Sequence, residues 1–310
     1  MAAITMQALR RTFGEVAAVD GLDLEVQKGE ILGFVGPNGA GKTTTIRMVT
    51  GLLRPSGGRL HVDGVPAGSR LARRRVGLCP QENVLYPELT ARENLIYAGL
   101  LHQVPRRLRR RRADDLLERL GLTAKAGTQA DKLSGGMKRR LTLAMALIHD
   151  PPIVVLDEPE AGLDPQTRVA VREFIRSLRG KRTVLLTSHN MDEVERLADR
   201  VAFVDGGRLV ALGTPGDLAA RLGTGDTVEV SLDATGASAA DVAKAFAGAP
   251  VEAIAAADRS LLVRGRGLAR KIPTVLATVQ KAGGEVADLR YRGTTLEDAF
   301  IALTGRRLRE

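Results

Sequence analysis

The sequence predicts an α/β protein in two parts, and three observations predict it. Ile31–Val35, Val76–Cys79, Ile153–Leu156 and Thr183–Ser188 are short, nearly continuous apolar runs of strand length, as in strands buried on both faces of a parallel sheet. Segments with helical spacing of apolar residues lie between them. Past Gly213-Thr214-Pro215-Gly216 the composition turns alanine-rich, and strand and helix patterns follow in the order β-α-β-β-α-β plus a helix.

At 310 residues with 44% hydrophobic content, the chain can bury one large α/β core and one small one. One cysteine, Cys79, excludes an internal disulfide. Together with the absence of a secretory pattern in Met1–Arg11, it leads to the expectation of a reducing cytoplasm. No run approaches the roughly eighteen apolar residues of a membrane span. The formal net charge of +10 suits an anionic partner: nucleic acid, ribosome or the inner face of a membrane. An aromatic content of 3% without tryptophan leaves little base-stacking surface, so nucleic acid is disfavoured. The run Arg106–Arg112, followed by Asp114 and Asp115, reads as a solvated helix face with intrahelical pairs; proximity to anionic lipid is the alternative.

Taken in order, residues 4–9 and 22–26 alternate apolar with polar and predict an antiparallel edge. Phe13-Gly14 falls in the turn between them, where the ring either stacks on a nucleobase or caps the small sheet. The stretch Gly36-Pro37-Asn38-Gly39-Ala40-Gly41-Lys42-Thr43-Thr44 fits G-x-x-x-x-G-K-[ST] between a buried strand and a helix start. Its glycines allow the backbone N–H groups to wrap a triphosphate, with Lys42 on the β- and γ-phosphates and the Thr43 hydroxyl on Mg²⁺. Turn residues at 51–58 lead to a strand at 59–62 and a hairpin at Asp63-Gly64. The strand Val76–Cys79 is ended by Pro80 and leaves Gln81 at its carboxyl end, where α/β sheets bind ligands.

From Thr90 to Leu147 the period is helical, in three segments broken near Val104-Pro105 and around Gly121–Lys132. Within it, Ser134 is a natural N-cap, and Gly135-Gly136 leave bare N–H groups at a helix start. That is a second anion site, which the first nucleotide does not need. Ile153–Leu156 ends in Asp157-Glu158, predicting Asp157 on Mg²⁺ and Glu158 polarising the attacking water. The loop Glu160–Pro165 enters a helix at 166–179, and Thr183–Ser188 ends in His189, a candidate γ-phosphate contact. In the tail, strands are expected at 227–232, 251–256, 260–265 and 285–291, and helices at 238–247 and 269–282. A last helix is opened by Thr294, with Glu297 in capping-box spacing. The order suggests a ferredoxin-like sandwich.

Together, Gly36–Thr44, Gln81, Leu133–Met137, Asp157-Glu158, Gly162-Leu163-Asp164 and His189 resemble the full ordered motif set of an ABC-transporter ATP-binding subunit, over about residues 4–220. The resemblance implies a P-loop NTPase cassette over 1–222: a RecA-like core, an antiparallel β edge and a helical subdomain at about 88–150. A small C-terminal α/β domain occupies 223–310. It implies ATP and Mg²⁺ as ligands and two cassettes, identical or different, binding head to tail. By that resemblance Gln81 is the Mg²⁺-linked sensor facing a membrane partner. Ser134, Gly135 and Gly136 form the signature loop closing on the other cassette's γ-phosphate, and Asp164 belongs to the inter-subunit loop. Asp157 is then the metal-binding acid, Glu158 the catalytic base, His189 the switch histidine and Phe13 the adenine-stacking ring. Met137 departs from the family's usual glutamine, which puts a flanking contact in doubt.

Ser134–Leu141, Ser188–Glu195 and Thr295–Arg306 further resemble bacterial drug-export cassettes of the daunorubicin-resistance type. These work at the cytoplasmic face of the cell membrane with a separate ABC-2-type membrane subunit. The alternative, a soluble ABC-type ATPase acting on ribosome or nucleic acid, usually carries two cassettes or a long coiled coil. This chain has one phosphate loop and no room for such a coil between Lys42 and Leu133.

Overall fold

The structure is a computed structural model. It describes residues 2–222, 225–233, 235–247, 249, 251–257, 259–265 and 267–304. The chain divides into two compact units, one running through Pro215 and the other starting at Gly216.

The larger unit opens with a long hairpin, β1 (Ala2–Phe13) and β2 (Val16–Gln27), so both strands extend well beyond the alternating segments that announced them. The buried strand β3 (Ile31–Val35) follows, then α1 (Lys42–Val49), β4 (Gly57–Val62), β5 (Val65–Pro66), the short α2 (Arg70–Arg74) and β6 (Val76–Cys79). Three helices come next: α3 (Ala91–Leu101), α4 (Arg106–Arg119) and α5 (Gly135–Leu147). Thr90 and Glu93 form a capping box that starts α3, and Pro105 is the N-cap of α4. Then come β7 (Ile153–Asp157), α6 (Pro165–Arg176), β8 (Thr183–Ser188), α7 (Met191–Leu197), β9 (Arg200–Asp205) and β10 (Arg208–Gly213). The helix α8 (Pro215–Leu222) lies at the division between the units.

The strands form two sheets. One is antiparallel, in the order β2-β1-β4-β5; the other is mixed, in the order β10-β9-β3-β8-β7-β6. In the second, β9, β3, β8, β7 and β6 run parallel and only the edge strand β10 is antiparallel. Alternation along β7 sends Ile153 and Val155 to the core shared with the antiparallel sheet, where Ile4, Met6, Leu24, Phe34 and Ile46 pack. Val154 and Leu156 go to the core shared with the helices, among Leu95, Leu116, Leu141 and Ile175. Strand β6 packs directly on α5: a Cβ at Gly77 would lie 1.9 Å from the Ala146 carbonyl oxygen. Beside it the Cys79 thiol is wholly buried, and burial pushes its pKa up to about 11.

The smaller unit contains β11 (Asp226–Leu232), α9 (Ala239–Lys244), β12 (Glu252–Ala257), β13 (Ser260–Gly265), α10 (Leu268–Lys281), β14 (Val286–Arg292) and α11 (Leu296–Thr304). Its sheet is antiparallel throughout, in the order β12-β13-β11-β14. That is the ferredoxin-like arrangement the element order suggested. Its core gathers Val228, Val230, Val242, Phe246, Leu261, Val263, Val275 and Val279. One detail differs from expectation: the cap of α11 is Thr295, not Thr294. Thr295 Oγ1 accepts from the Asp298 amide at 3.2 Å, and Asp298 Oδ2 accepts from the Thr295 amide at 3.0 Å. Thr294 is engaged elsewhere, its amide donating to Asp226 Oδ1 at 3.2 Å. Gly305 and Arg306, which close the tail motif, lie outside the described residues.

Candidate active site

Four neighbouring parallel strands bring the predicted residues to one end of the sheet. β3 runs into the loop Gly36–Gly41, β8 into His189, β7 ends at Asp157 with Glu158 next, and β6 leads through Pro80 to Gln81. Their order β3-β8-β7-β6 is unbroken, so these segments emerge side by side.

The loop after β3 is held close to its surroundings. A Cβ at Gly36 would lie 2.1 Å from the Val204 carbonyl oxygen, and one at Gly41 would lie 2.3 Å from that of Ala18. Gly41 also takes φ 91° as the N-cap of α1, a left-handed conformation that glycine adopts without steric cost. Because glycine has no side chain to cap α1, the first-turn N–H groups stay open toward an anion. Lys42 is buried and its Nζ folds back over the loop, donating to the Gly36 carbonyl at 2.7 Å and the Pro37 carbonyl at 2.9 Å. Burial lowers the Lys42 pKa, against the opposing pull of Glu158 and Asp157. The ammonium and both carboxylates therefore share one electrostatic environment. Pro37 and Ala40 are buried in this loop, whereas Asn38, Gly39 and Thr43 are exposed and Thr44 is half-buried.

Asp157 is buried, and its Oδ1 accepts the Thr187 hydroxyl at 2.5 Å. The Glu158 amide donates to the Thr187 carbonyl at 3.1 Å and to its hydroxyl at 3.2 Å. Glu158 stands at φ 47°, a conformation that costs a non-glycine residue about 1–2 kcal/mol. Both its carboxylate oxygens are engaged: Oε1 lies 3.0 Å from His189 Nδ1, and Oε2 accepts from Gln81 Nε2 at 3.3 Å. Residues from two strand ends thus meet on the carboxylate carried at a third.

The predicted signature residues occupy a different place. Ser134 is the N-cap of α5, its Oγ accepting from the Met137 amide at 3.3 Å. Asp164 caps α6 in the same way, accepting from the Thr167 amide at 2.9 Å; Thr167 holds its carboxyl below the usual range. The two helix starts touch, since a Cβ at Gly136 would lie 2.8 Å from Thr167 Oγ1. Ser134 and Gly135 are exposed. Among the described residues no hydrogen bond or ion pair joins this pair of helix starts to the Lys42 loop. Phe13 ends β1 opposite Val16 and is 49% exposed, with the Arg11 guanidinium 4.5 Å from its ring centre.

Two residues of the site are silent in the sequence. Thr187 binds both Asp157 and Glu158, but within an apolar strand it reads as an ordinary β-branched residue. Arg139 is 3% exposed, and its guanidinium holds backbone carbonyls at the ends of β6 and β7. Its signal is positional: it stands four and seven residues before Leu143 and Ala146, on the buried stripe of α5.

Comparison with known proteins agrees with this geometry. The sequence pattern of the ABC transporter family matches residues 19–161. Over 317 residues the chain is 43% identical to the daunorubicin resistance ATP-binding protein DrrA3 of Streptomyces coeruleorubidus, covering 99% of this chain and 98% of that one. It is 39% identical to the Nod factor export ATP-binding protein I of Ralstonia nicotianae, covering 99% of this chain and 95% of the relative. Among solved structures, a dimeric ATP-binding cassette in a post-hydrolysis state with ADP and Pi bound is 25% identical. It superposes with a TM-score of 0.61 over 68% of this chain and 98% of the other. With a phosphate loop, an acid pair and a histidine at adjoining strand ends, and a near full-length relative, the chain belongs to the ABC transporter ATP-binding proteins and is an ATPase of that family.

Proposed function

We propose that this chain is the ATP-hydrolysing subunit of an ABC exporter. It acts at the cytoplasmic face of a cell membrane, with a separate ABC-2-type membrane subunit that carries a drug-like, lipid or other hydrophobic compound. The observation that supports the catalytic part is the convergence of His189 and Gln81 on the Glu158 carboxylate. The names of the relatives, drug resistance and Nod factor export, support the direction of transport. Among the described residues no helix is long and apolar enough to cross a membrane, and in this reading the path belongs to the membrane subunit.

The roles derive from the geometry. The loop Gly36–Thr44 wraps the triphosphate of ATP with the N–H groups of its non-proline residues, and Lys42 transfers its hydrogen bonds from the Gly36 and Pro37 carbonyls to the β- and γ-phosphates. Phe13 offers its exposed ring to the adenine. Asp157, Thr43 and Gln81 are the residues to hold Mg²⁺. A single carboxylate, a hydroxyl and an amide oxygen form the hard donor set that suits this ion when phosphate oxygens complete it. Bound there, the ion neutralises phosphate charge. Glu158 orients the attacking water and takes its proton, and His189 contacts the γ-phosphate. Ser134, Gly135 and Gly136 of a second cassette, the same chain or a related one, close over that phosphate, with Asp164 at the seam. The opening of two helix N-termini side by side supplies the donors for this.

Beside Gln81 lies an apolar groove of about 390 Å³, lined by Leu52, Leu78, Pro80, Val84, Leu101 and Met145. It fits a short helix of the membrane subunit. The experiment is affinity purification of the tagged Glu158→Gln protein from native membranes with ATP, followed by mass spectrometry. A co-purifying multi-span membrane protein is expected. Ribosomal or DNA-repair proteins without a membrane partner would overturn the transporter reading.

A further inference from the structure

Among the described residues of the larger unit, Arg139 is the most heavily hydrogen-bonded side chain, and no carboxylate accounts for it. Its Nε donates to the Pro159 carbonyl at 3.0 Å. Nη1 donates to the carbonyls of Pro80 and, at 2.9 Å, Gln81. Nη2 donates to those of Asp157 at 2.7 Å and Glu158 at 2.9 Å. All five N–H groups of the guanidinium are matched, each with its own backbone carbonyl. Among the described residues Arg139 forms no ion pair. A buried charge without a counter-ion is costly, so this one is kept for the position it imposes.

That position is informative. Three successive carbonyls, those of Asp157, Glu158 and Pro159, turn inward to one planar group. The chain can do this only by curling, and the curl is the left-handed φ of 47° at Glu158. Arg139 on the carbonyl side and Thr187 on the amide side together hold the strained residue. The same guanidinium fixes the backbone of Gln81, whose side chain reaches the Glu158 carboxylate. Arg139 also lies on α5, whose first residues after the Ser134 cap are Gly135 and Gly136.

We propose that Arg139 is the positioning residue that ties the signature loop of a cassette to the catalytic base of the same cassette. The inference rests on the sandwich proposed above. In that sandwich, Ser134–Gly136 of one chain meet the nucleotide bound by its partner, while Glu158 of the first chain serves its own nucleotide. A rigid helix with a five-point grip on the catalytic turn makes each base report whether the other site is filled. The two ATP sites are thereby coupled through α5.

The test is Arg139→Lys in the full-length chain, with ATP turnover, affinity for a fluorescent ATP analogue and thermal stability measured together. A lysine ammonium has three donors at one point and cannot span carbonyls from two strands. The expected result is a kcat lower by about ten- to a hundredfold, the cost of a misplaced catalytic group. KM and analogue affinity should stay within about threefold, because the Lys42 loop is untouched. The Hill coefficient for ATP should fall from near 2 to about 1. An unchanged kcat and Hill coefficient would overturn the proposal. So would turnover, affinity and melting temperature falling together, which is what a purely structural role gives. A wild-type Hill coefficient of about 1 would overturn the coupling. Glu158→Gln measured in parallel separates the two readings: full turnover there sinks the proposed base itself, whereas a dead Glu158→Gln beside an unaffected Arg139→Lys sinks only the tie through α5.

Discussion

Replacing Glu158 by Gln isolates the proposed proton-accepting role from the contacts the residue makes. The amide has the same length and shape, so it can keep contact with His189 and Gln81, which sit 3.0 and 3.3 Å from the carboxylate oxygens. The backbone strain at φ 47° is unchanged, since it is held by Thr187 and Arg139. Folding stability should therefore shift by less than about 1 kcal/mol. What disappears is the proposed base. A positioned general base contributes about two to four decades of rate, or about 2.7–5.4 kcal/mol of barrier. Nucleotide affinity should hold or rise, because the variant removes a negative charge beside the place of the triphosphate. Phosphate release followed by a colorimetric assay should drop by at least about a hundredfold. Size-exclusion chromatography should show a dimer that forms with ATP and persists. Phosphate release above about a tenth of the wild-type rate would refute the assignment of the base.

Neighbouring features lead to other outcomes. Lys42→Ala removes the only side chain that bridges the Gly36 and Pro37 carbonyls among the described residues. It should weaken ATP binding by at least about tenfold in a fluorescence titration, and normal affinity would dismiss the lysine's role. Gly136→Ala places a Cβ 2.8 Å from Thr167 Oγ1. It should leave nucleotide binding by the single chain intact while abolishing the ATP-dependent dimer, and a normal dimer would show that this helix start does not face the partner. His149 stacks on His102 with ring centres 3.7 Å apart, and its pKa is depressed to about 4 by burial first and then by the charges of His102, Arg112 and Arg182. His102 is shifted the same way by burial. Between the ordinary histidine value and about 4 the unfolded chain takes up the proton first, so stability is lost as pH falls through that window. The loss attributable to His149 should be about 1–3 kcal/mol, read from melting curves, and His149→Phe should flatten that limb of the profile.

Much of this fold shows in the primary sequence because its strands are buried on both faces. Ile153–Leu156 and Thr183–Ser188 have little alternative to a central position, and the phosphate-loop motif dictates a tight turn and a helix directly after the first buried strand. The segment Arg200–Gly213 is less plain: Val201–Val204 is an apolar run buried throughout, but β10 alternates, and it is the pairing with β3 on one side and β10 on the other that puts β9 inside the sheet. The hairpin of β1 and β2 is longer than its alternation suggests because register shifts between Leu9 and Arg10 and between Arg11 and Thr12 break the period while the pairing runs on to Phe13 and Val16. Within the candidate site, residues whose type suggests a chemistry stand out in the sequence, as with Lys42, Asp157, Glu158 and His189, and the structure brings them to adjoining strand ends. Arg139 and Thr187 do not stand out, because they act on backbone atoms or on another side chain's orientation, and such roles exist only once the strand ends are assembled. The charge run is partly legible. Arg111 reaches Asp115 within α4, as a solvated helix face predicts, yet Arg112 reaches out to Asp150 and Arg109 turns back to the Val104 carbonyl.

Cys79 has a practical consequence. Its sulfur is sealed under the sheet, and a thiol with a pKa of about 11 is almost entirely protonated at neutral pH. It is also the only cysteine of the chain. The folded protein should therefore behave toward thiol reagents as if it had no cysteine. A cysteine introduced at an exposed point, such as Gly135 or Val169, can be labelled or cross-linked against a silent background, with no need to disturb the packing of β6 by removing the native one.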